Sequence, residues 1–152
     1  MNSVFCNKFE EFLADFGKAR KMVLSTVYNN AVSSRMMSVV QINGLFYFQT
    51  DINLRKYRQI KSNNSAALCI DNIQVEGICK EIGHPLDNSL FCKAFEESFK
   101  GSYDAYTGLR NERLFCLKPV YIERWIYKSG IPYIEVFDMN IQKYSLTQYS
   151  GE

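Results

Sequence analysis

Two runs of strand-forming residues, 34–42 and 45–49, are separated only by Asn43-Gly44. Asn-Gly offers two consecutive residues that accept positive φ cheaply, as a two-residue turn between right-twisted antiparallel strands demands. The pair therefore dictates a tight β-hairpin, and the surrounding sequence repeats the theme. Residues 22–27 form an earlier apolar run that closes on a polar turn at Asn29-Asn30. Residues 65–71 and 73–82 read as another strand pair. Residues 114–117, 121–127 and 133–138 supply the last strands, with Ser129-Gly130 as a turn. Six or more short strands joined by hairpins predict a mainly β chain, an antiparallel barrel with peripheral helices. A parallel doubly wound sheet would need regular strand–helix alternation, which is missing.

Helical spacing marks three further segments. Phe9, Phe12, Leu13 and Phe16 face one way and Glu10, Glu11 and Asp15 the other, so residues 1–20 hold an amphipathic helix that stops near Gly17. A short helix, capped by Asp51 or Asn53, runs to about residue 61 with Tyr57 and Ile60 inward. Gly83-His84-Pro85 breaks the sheet, and residues 87–99 carry an apolar stripe of Leu90, Phe91, Ala94, Phe95 and Phe99. Residues 101–113 are polar, aromatic and without a clear period; the tyrosines in 103–106 are candidates for a lid. Beyond Met139 the pattern fades, and 139–152 is expected to be a mobile tail. With no repeat, low-complexity stretch or linker, residues 1–152 read as one domain.

Composition removes several function classes. The net charge of +2 gives no field for nucleic acid. No apolar run approaches the roughly 20 residues of a membrane helix, and residues 1–8 lack a secretory pattern. The five cysteines, Cys6, Cys69, Cys79, Cys92 and Cys116, are odd in number and lack CxxC spacing, so neither a disulfide framework nor a metal site is expected. These features predict a cytoplasmic protein with free thiols. One histidine in a loop, His84, gives no Ser/His/Asp arrangement; it reads as a solvated side chain, with a catalytic acid or heme ligand as the alternatives. Glu96-Glu97 belongs to a solvated helix surface. No glycine-rich phosphate loop occurs.

Two features carry chemistry. Strand geometry puts Arg35 on one face with Met37 and Val39. A buried guanidinium there needs an anion or carboxylate; periodicity alone would place it at the strand's solvated end. The second feature is 46–56, where a strand ends at Thr50, a polar turn follows, and Arg55-Lys56 enter the first helical turn. Cations belong at helix C-termini, so this pair is unfavourable unless something anionic, such as phosphate, joins it. The other reading is a solvated basic patch with Arg58 and Lys61.

The ordered combination of 24–26 (Leu-Ser-Thr), 34–37 (Ser-Arg-Met-Met), 44–50 (Gly-Leu-Phe-Tyr-Phe-Gln-Thr), Arg55-Lys56 and 75–77 (Val-Glu-Gly) resembles the pyridoxamine 5′-phosphate oxidase-like, FMN-binding split-barrel family. The resemblance spans about 21–80, continues more weakly over 114–137, and is absent from 83–112. It implies a split β-barrel homodimer with FMN at the subunit interface. Arg35 would lie beside the ribityl-phosphate, Met36 and Met37 along the isoalloxazine ring, and Thr50 at the flavin site. Arg55 and Lys56 would bind phosphate, and Asn72 would reach the flavin from the other subunit, where oxidases often carry glutamine. The oxidases' late Arg-x-His motif has no counterpart, since Arg124 is the only arginine in the late strands; strict oxidase activity is not implied. What is implied is an FMN-dependent oxidoreductase, a reductase taking electrons from a nicotinamide donor to a small-molecule acceptor, with no catalytic side chain assigned. The alternative is a flavin- or heme-binding module that stores or senses its ligand.

Overall fold

A computed structural model of the chain describes residues 3–151. Residues 1, 2 and 152, at the ends of the expected N-terminal helix and tail, lie outside the described residues. The order is α1 (Ser3–Phe16), β1 (Ala19–Tyr28), β2 (Ala31–Ile42), β3 (Leu45–Asp51), α2 (Arg55–Ser62), β4 (Ser65–Ile70) and β5 (Ile73–Glu81). A helical insert follows, with a 3₁₀ turn at Pro85–Asp87, α3 (Ser89–Ser98), one short turn at Lys100–Ser102 and a π-helical turn at Tyr103–Thr107. Then come β6 (Glu112–Lys128), β7 (Ile131–Asp138) and β8 (Lys143–Gln148).

Strands pair antiparallel in the order β3-β2-β1-β4-β5-β6, and β3 pairs again with β6, from Phe46↔Leu117 to Asp51↔Glu112. This closes a six-stranded barrel. β6 is 17 residues long; its first half completes the barrel and its second half carries β7 and β8. The sequence suggested two strands here, because Lys118-Pro119 looks like a break. The chain instead continues through Pro119, and the ladder shifts register between Glu76 and Gly77 opposite it. Gly77 is required at that crossing: a Cβ would stand 2.4 Å from Leu117 Cδ2 and 2.5 Å from the Lys118 carbonyl oxygen.

The hairpin signals are realised in the backbone. Asn43 and Gly44 have φ of 53° and 83°, Asn29 and Asn30 of 50° and 62°, and Ser129 and Gly130 of 53° and 78°, as the primed hairpin turns require. Three expectations change. The N-terminal helix ends at Phe16 and β1 already begins at Ala19, earlier than the apolar run at Met22. Residues 143–148, read as part of a loose tail, form the edge strand β8; Tyr144, Ser145 and Leu146 are half-buried in a row and the rest exposed, and the lack of alternation hid it. Finally, α2 is capped by neither Asp51 nor Asn53. Leu54 occupies the N-cap without a side-chain bond, while Asp51 Oδ1 accepts from the Asn53 backbone N–H at 2.7 Å.

Apolar packing fixes the parts around one barrel mouth. Phe5, Phe12 and Phe16 of α1 join Phe137 and the barrel interior, with Phe12 and Phe137 centroids 5.5 Å apart. On the outer wall, Phe91 and Phe95 of α3 pack with Val40 of β2 and Leu114 of β6. That second cluster pins the insert beside the end of β3, where α2 also begins.

Candidate functional site

The inward face of β2 carries Val39, Met37 and then Arg35, so the guanidinium sits where the apolar interior gives way to the mouth. The face read from strand geometry is correct, and Arg35 is half-buried rather than solvated. Its partners are all neutral. Nη1 donates to the Leu24 carbonyl at 3.1 Å and to Thr26 Oγ1 at 2.9 Å, and Nη2 donates to Gln59 Oε1 at 2.9 Å. Thr26 in turn donates to Gln59 Oε1 at 2.8 Å, and Gln59 Nε2 donates to Ser33 Oγ at 3.2 Å. Thr26, Ser33 and Gln59 were missed as site residues, because an uncharged hydroxyl or amide gives no signal until a charge is placed beside it.

Arg55 and Lys56, opening α2 without a side-chain cap, complete a cleft of about 320 Å³ with Arg35, Ser33, Ser34 and Leu54. None of the three cations forms an ion pair among the described residues. Burial first, then the Arg55 charge, lowers the pKa of the Arg35 guanidinium, and burial followed by the Arg35 charge lowers that of the Lys56 ammonium. Unpaired positive charge is thus concentrated at the free N–H groups of a helix start. That is the chemistry of a phosphate site.

Lys56 and Leu54 also border a second cleft, of about 360 Å³, running along Met36 and Met37 to Thr50, Glu112 and the insert's Tyr106. Thr50 is 2% exposed, and its Oγ1 is the one buried side-chain polar atom without a hydrogen-bond partner among the described residues. Its neighbour Gln49 is satisfied by Thr107 of the π-helical turn, which donates at 3.0 Å. Glu112 was also missed; it lies in the stretch that resisted assignment. Burial first, then the Asp51 charge, pushes its carboxyl up to about 7, against the pull of Lys56 and His84. The two clefts share Leu54 and Lys56, and together they offer the residues that could hold a phosphorylated planar group: Arg35, Arg55 and Lys56 at one end and the unsatisfied Thr50 hydroxyl at the other.

The structure therefore brings Arg35, Met36, Met37, Thr50, Arg55 and Lys56 together. Asn72 stands apart in the chain, in the β4–β5 turn, where its amide donates to the Trp125 carbonyl at 2.5 Å. His84 is not a free loop side chain: Nδ1 accepts from the Leu86 N–H at 3.1 Å and Nε2 lies 2.8 Å from the Leu109 carbonyl, so both ring nitrogens are engaged in holding the insert. The five cysteines are free. Among the described residues, no cluster of three His, Cys, Asp or Glu side chains could hold a metal, and no helix is long and apolar enough to cross a membrane.

No protein-family profile matches the sequence, nor does any curated protein sequence. Solved structures do match the fold. A Clostridium acetobutylicum protein related to general stress protein 26, of the pyridoxinephosphate oxidase family, is 14% identical with a TM-score of 0.63, covering 94% of this chain and 100% of that one. A pyridoxamine 5′-phosphate oxidase-related, FMN-binding protein from Nostoc punctiforme is 16% identical with a TM-score of 0.60, covering 86% and 87%. PhzG from Burkholderia lata, solved with tetrahydrophenazine-1-carboxylic acid, is 15% identical with a TM-score of 0.62, covering 97% and 91%. The chain is a mainly β split-barrel protein. Its fold is that of the pyridoxamine 5′-phosphate oxidase-like, FMN-binding proteins, the group that its motifs resemble.

Proposed function

We propose that this chain is an FMN-binding oxidoreductase, a reductase that passes electrons from a nicotinamide donor to a small-molecule acceptor. The observation that carries the reading is the set of three unpaired cations, Arg35, Arg55 and Lys56, converging where α2 begins. An FMN phosphate, with a charge of about −2, would neutralise them. When bound, the flavin supplies the redox chemistry; the chain's own groups bind and orient it. Arg35, already squared against Thr26 and Gln59, presents its guanidinium without further ordering. Met36 and Met37 flank the ring slot, and Thr50 offers one hydroxyl to its edge.

The slot is open, and its rim carries exposed apolar side chains, Met36 (56%) and Leu54 (47%) among them. A second copy of the chain covering this rim would make the protein a homodimer and bury the flavin. We place it in the cytoplasm, where five free thiols persist.

The test is direct. Purified protein mixed with FMN should retain a flavin band that NADH or NADPH bleaches. A band inert to both nicotinamides points to a binding or sensing module; a colourless protein that takes up no FMN ends the reading. Arg55→Ala with Lys56→Ala should leave the barrel folded and weaken FMN by about a hundredfold or more, two charge-assisted contacts at roughly 1.5–3 kcal/mol each. Unchanged affinity in that double variant rejects the phosphate assignment.

A further inference from the structure

Glu112 is a charged side chain at the slot whose carboxyl no hydrogen bond ties into the fold among the described residues. It is only 5% exposed, it borders the ring slot, and its carboxyl accepts no hydrogen bond from any described residue. The backbone around it is fixed. Glu112 pairs with Asp51 at the last rung of the β3–β6 ladder, its N–H donates to the Leu109 carbonyl at 3.2 Å, and its own carbonyl accepts from Arg113 Nη1 at 2.6 Å. The backbone is therefore fixed at the slot, while the carboxyl has no hydrogen-bond partner among the described residues and its oxygens keep some access to the slot.

Three charged or titratable groups from three other segments face it: Asp51 at the end of β3, Lys56 in the first turn of α2 and His84 before the 3₁₀ turn. Asp51 repels an ionised Glu112, while Lys56 and His84 favour it. From the insert, Phe95 and Tyr106 border the same slot and add an aromatic wall. Thr50, whose Oγ1 is buried without a partner, borders the slot too. One hydroxyl and one carboxyl with free hydrogen-bonding capacity thus meet a slot of mixed lining, with Met36, Met37, Phe95 and Tyr106 on its apolar sides and Ser38, Gln49, Asp51, Lys56 and Ser102 on its polar ones.

We propose that Glu112 is a ligand contact of this slot: protonated, it donates a hydrogen bond to a carbonyl or ring nitrogen of the planar group lying along Met36 and Met37, and ionised, it repels that group. The proposal rests on the flavin reading above and adds to it a proton-dependent contact from a segment outside the family resemblance. Flavin rings carry carbonyl oxygens and imine nitrogens that accept such a bond, and a dianionic phosphate elsewhere on the same ligand makes an ionised carboxylate unwelcome.

Two measurements test it. In the first, the protein labelled with carboxyl-¹³C glutamate is titrated with and without FMN, using Glu112→Gln to assign the signal. Glu112 should titrate near neutrality in the free protein and at least about one unit higher with FMN, since one unit equals tenfold in affinity. A midpoint in the ordinary glutamate range, or one unmoved by FMN, overturns the proposal. In the second, FMN affinity is followed by flavin fluorescence between pH 5.5 and 8.5 for the wild type and Glu112→Gln, whose amide can donate at every pH. The wild type should weaken about tenfold relative to the variant as pH rises, a ratio that cancels the phosphate's own ionisation near pH 6. Parallel profiles with FMN bound sink the Glu112 assignment alone. A wild type that binds no FMN at any pH removes the flavin reading and this contact with it.

Discussion

Arg35 and Arg124 are both part-buried arginines on barrel strands, and they live in opposite surroundings. Arg124 of β6 donates from Nε to Glu135 of β7 at 2.8 Å and from Nη1 to Asp15 of α1 at 3.2 Å, with its guanidinium 5.3 Å from the Phe12 ring centroid. Glu135 also accepts from Tyr144 of β8 at 2.8 Å. Four elements are tied through one paired cation, and Glu135 and Asp15 raise the guanidinium's pKa although burial opposes them. Arg35 meets only a carbonyl, a hydroxyl and an amide, and its pKa is lowered. Partner sets, rather than burial, separate a cation tied into the fold by carboxylates from one that meets only neutral groups.

The contrast breaks most visibly at Arg124. Arg124→Met leaves Glu135 buried without its charge partner and should cost about 3–5 kcal/mol in urea unfolding; a loss under about 1 kcal/mol would show that the cluster is not structural. Arg35→Met should behave in the opposite way. Thr26 and Gln59 keep their mutual bond, so stability should stay within about 1 kcal/mol. FMN affinity should fall by roughly 10–150-fold, the value of one charge-assisted contact. Comparable losses of stability in both variants would erase the distinction.

Most of the fold could be read because turn chemistry is local. Asn43-Gly44 and Ser129-Gly130 need no tertiary information to demand positive φ, and the alternation around them sets the inward faces. Arg35's face followed from the same rule. What stayed hidden depends on partners far along the chain. Pro119 looks like a strand break until the register shift at Gly77 is seen across from it. β8 is an edge strand with no apolar alternation, and only the half-buried flank of β7 recruits it. The cations of α2 were legible by type and position. Gln59 and Glu112 were not, because their meaning comes from Arg35, 24 residues from Gln59, and from Asp51 across the barrel seam.

Carboxylates sharpen the comparison with the sign reversed. Glu135 and Glu112 are equally buried, each 5% exposed, but Glu135 holds an arginine and a tyrosine while Glu112 holds neither. Glu112 titrates at about 7 in the folded chain and near 4.3 when unfolded. Below pH 4 both states carry the proton and the group is neutral in the balance. As pH rises through the window from about 4.3 to 7, the unfolded chain releases its proton while the folded chain keeps it, so stability declines; above 7 the loss is complete. Because the slot is open to solvent, the full loss is about 1–2 kcal/mol rather than the whole value of the shift. Glu112→Gln should therefore match the wild type at pH 4 and exceed it by that amount at pH 8, measured by urea unfolding in the absence of any flavin. A difference that is the same at both pH values would mean that the Glu112 carboxyl titrates alike in the folded and unfolded chains, so that burial does not disfavour its ionised form.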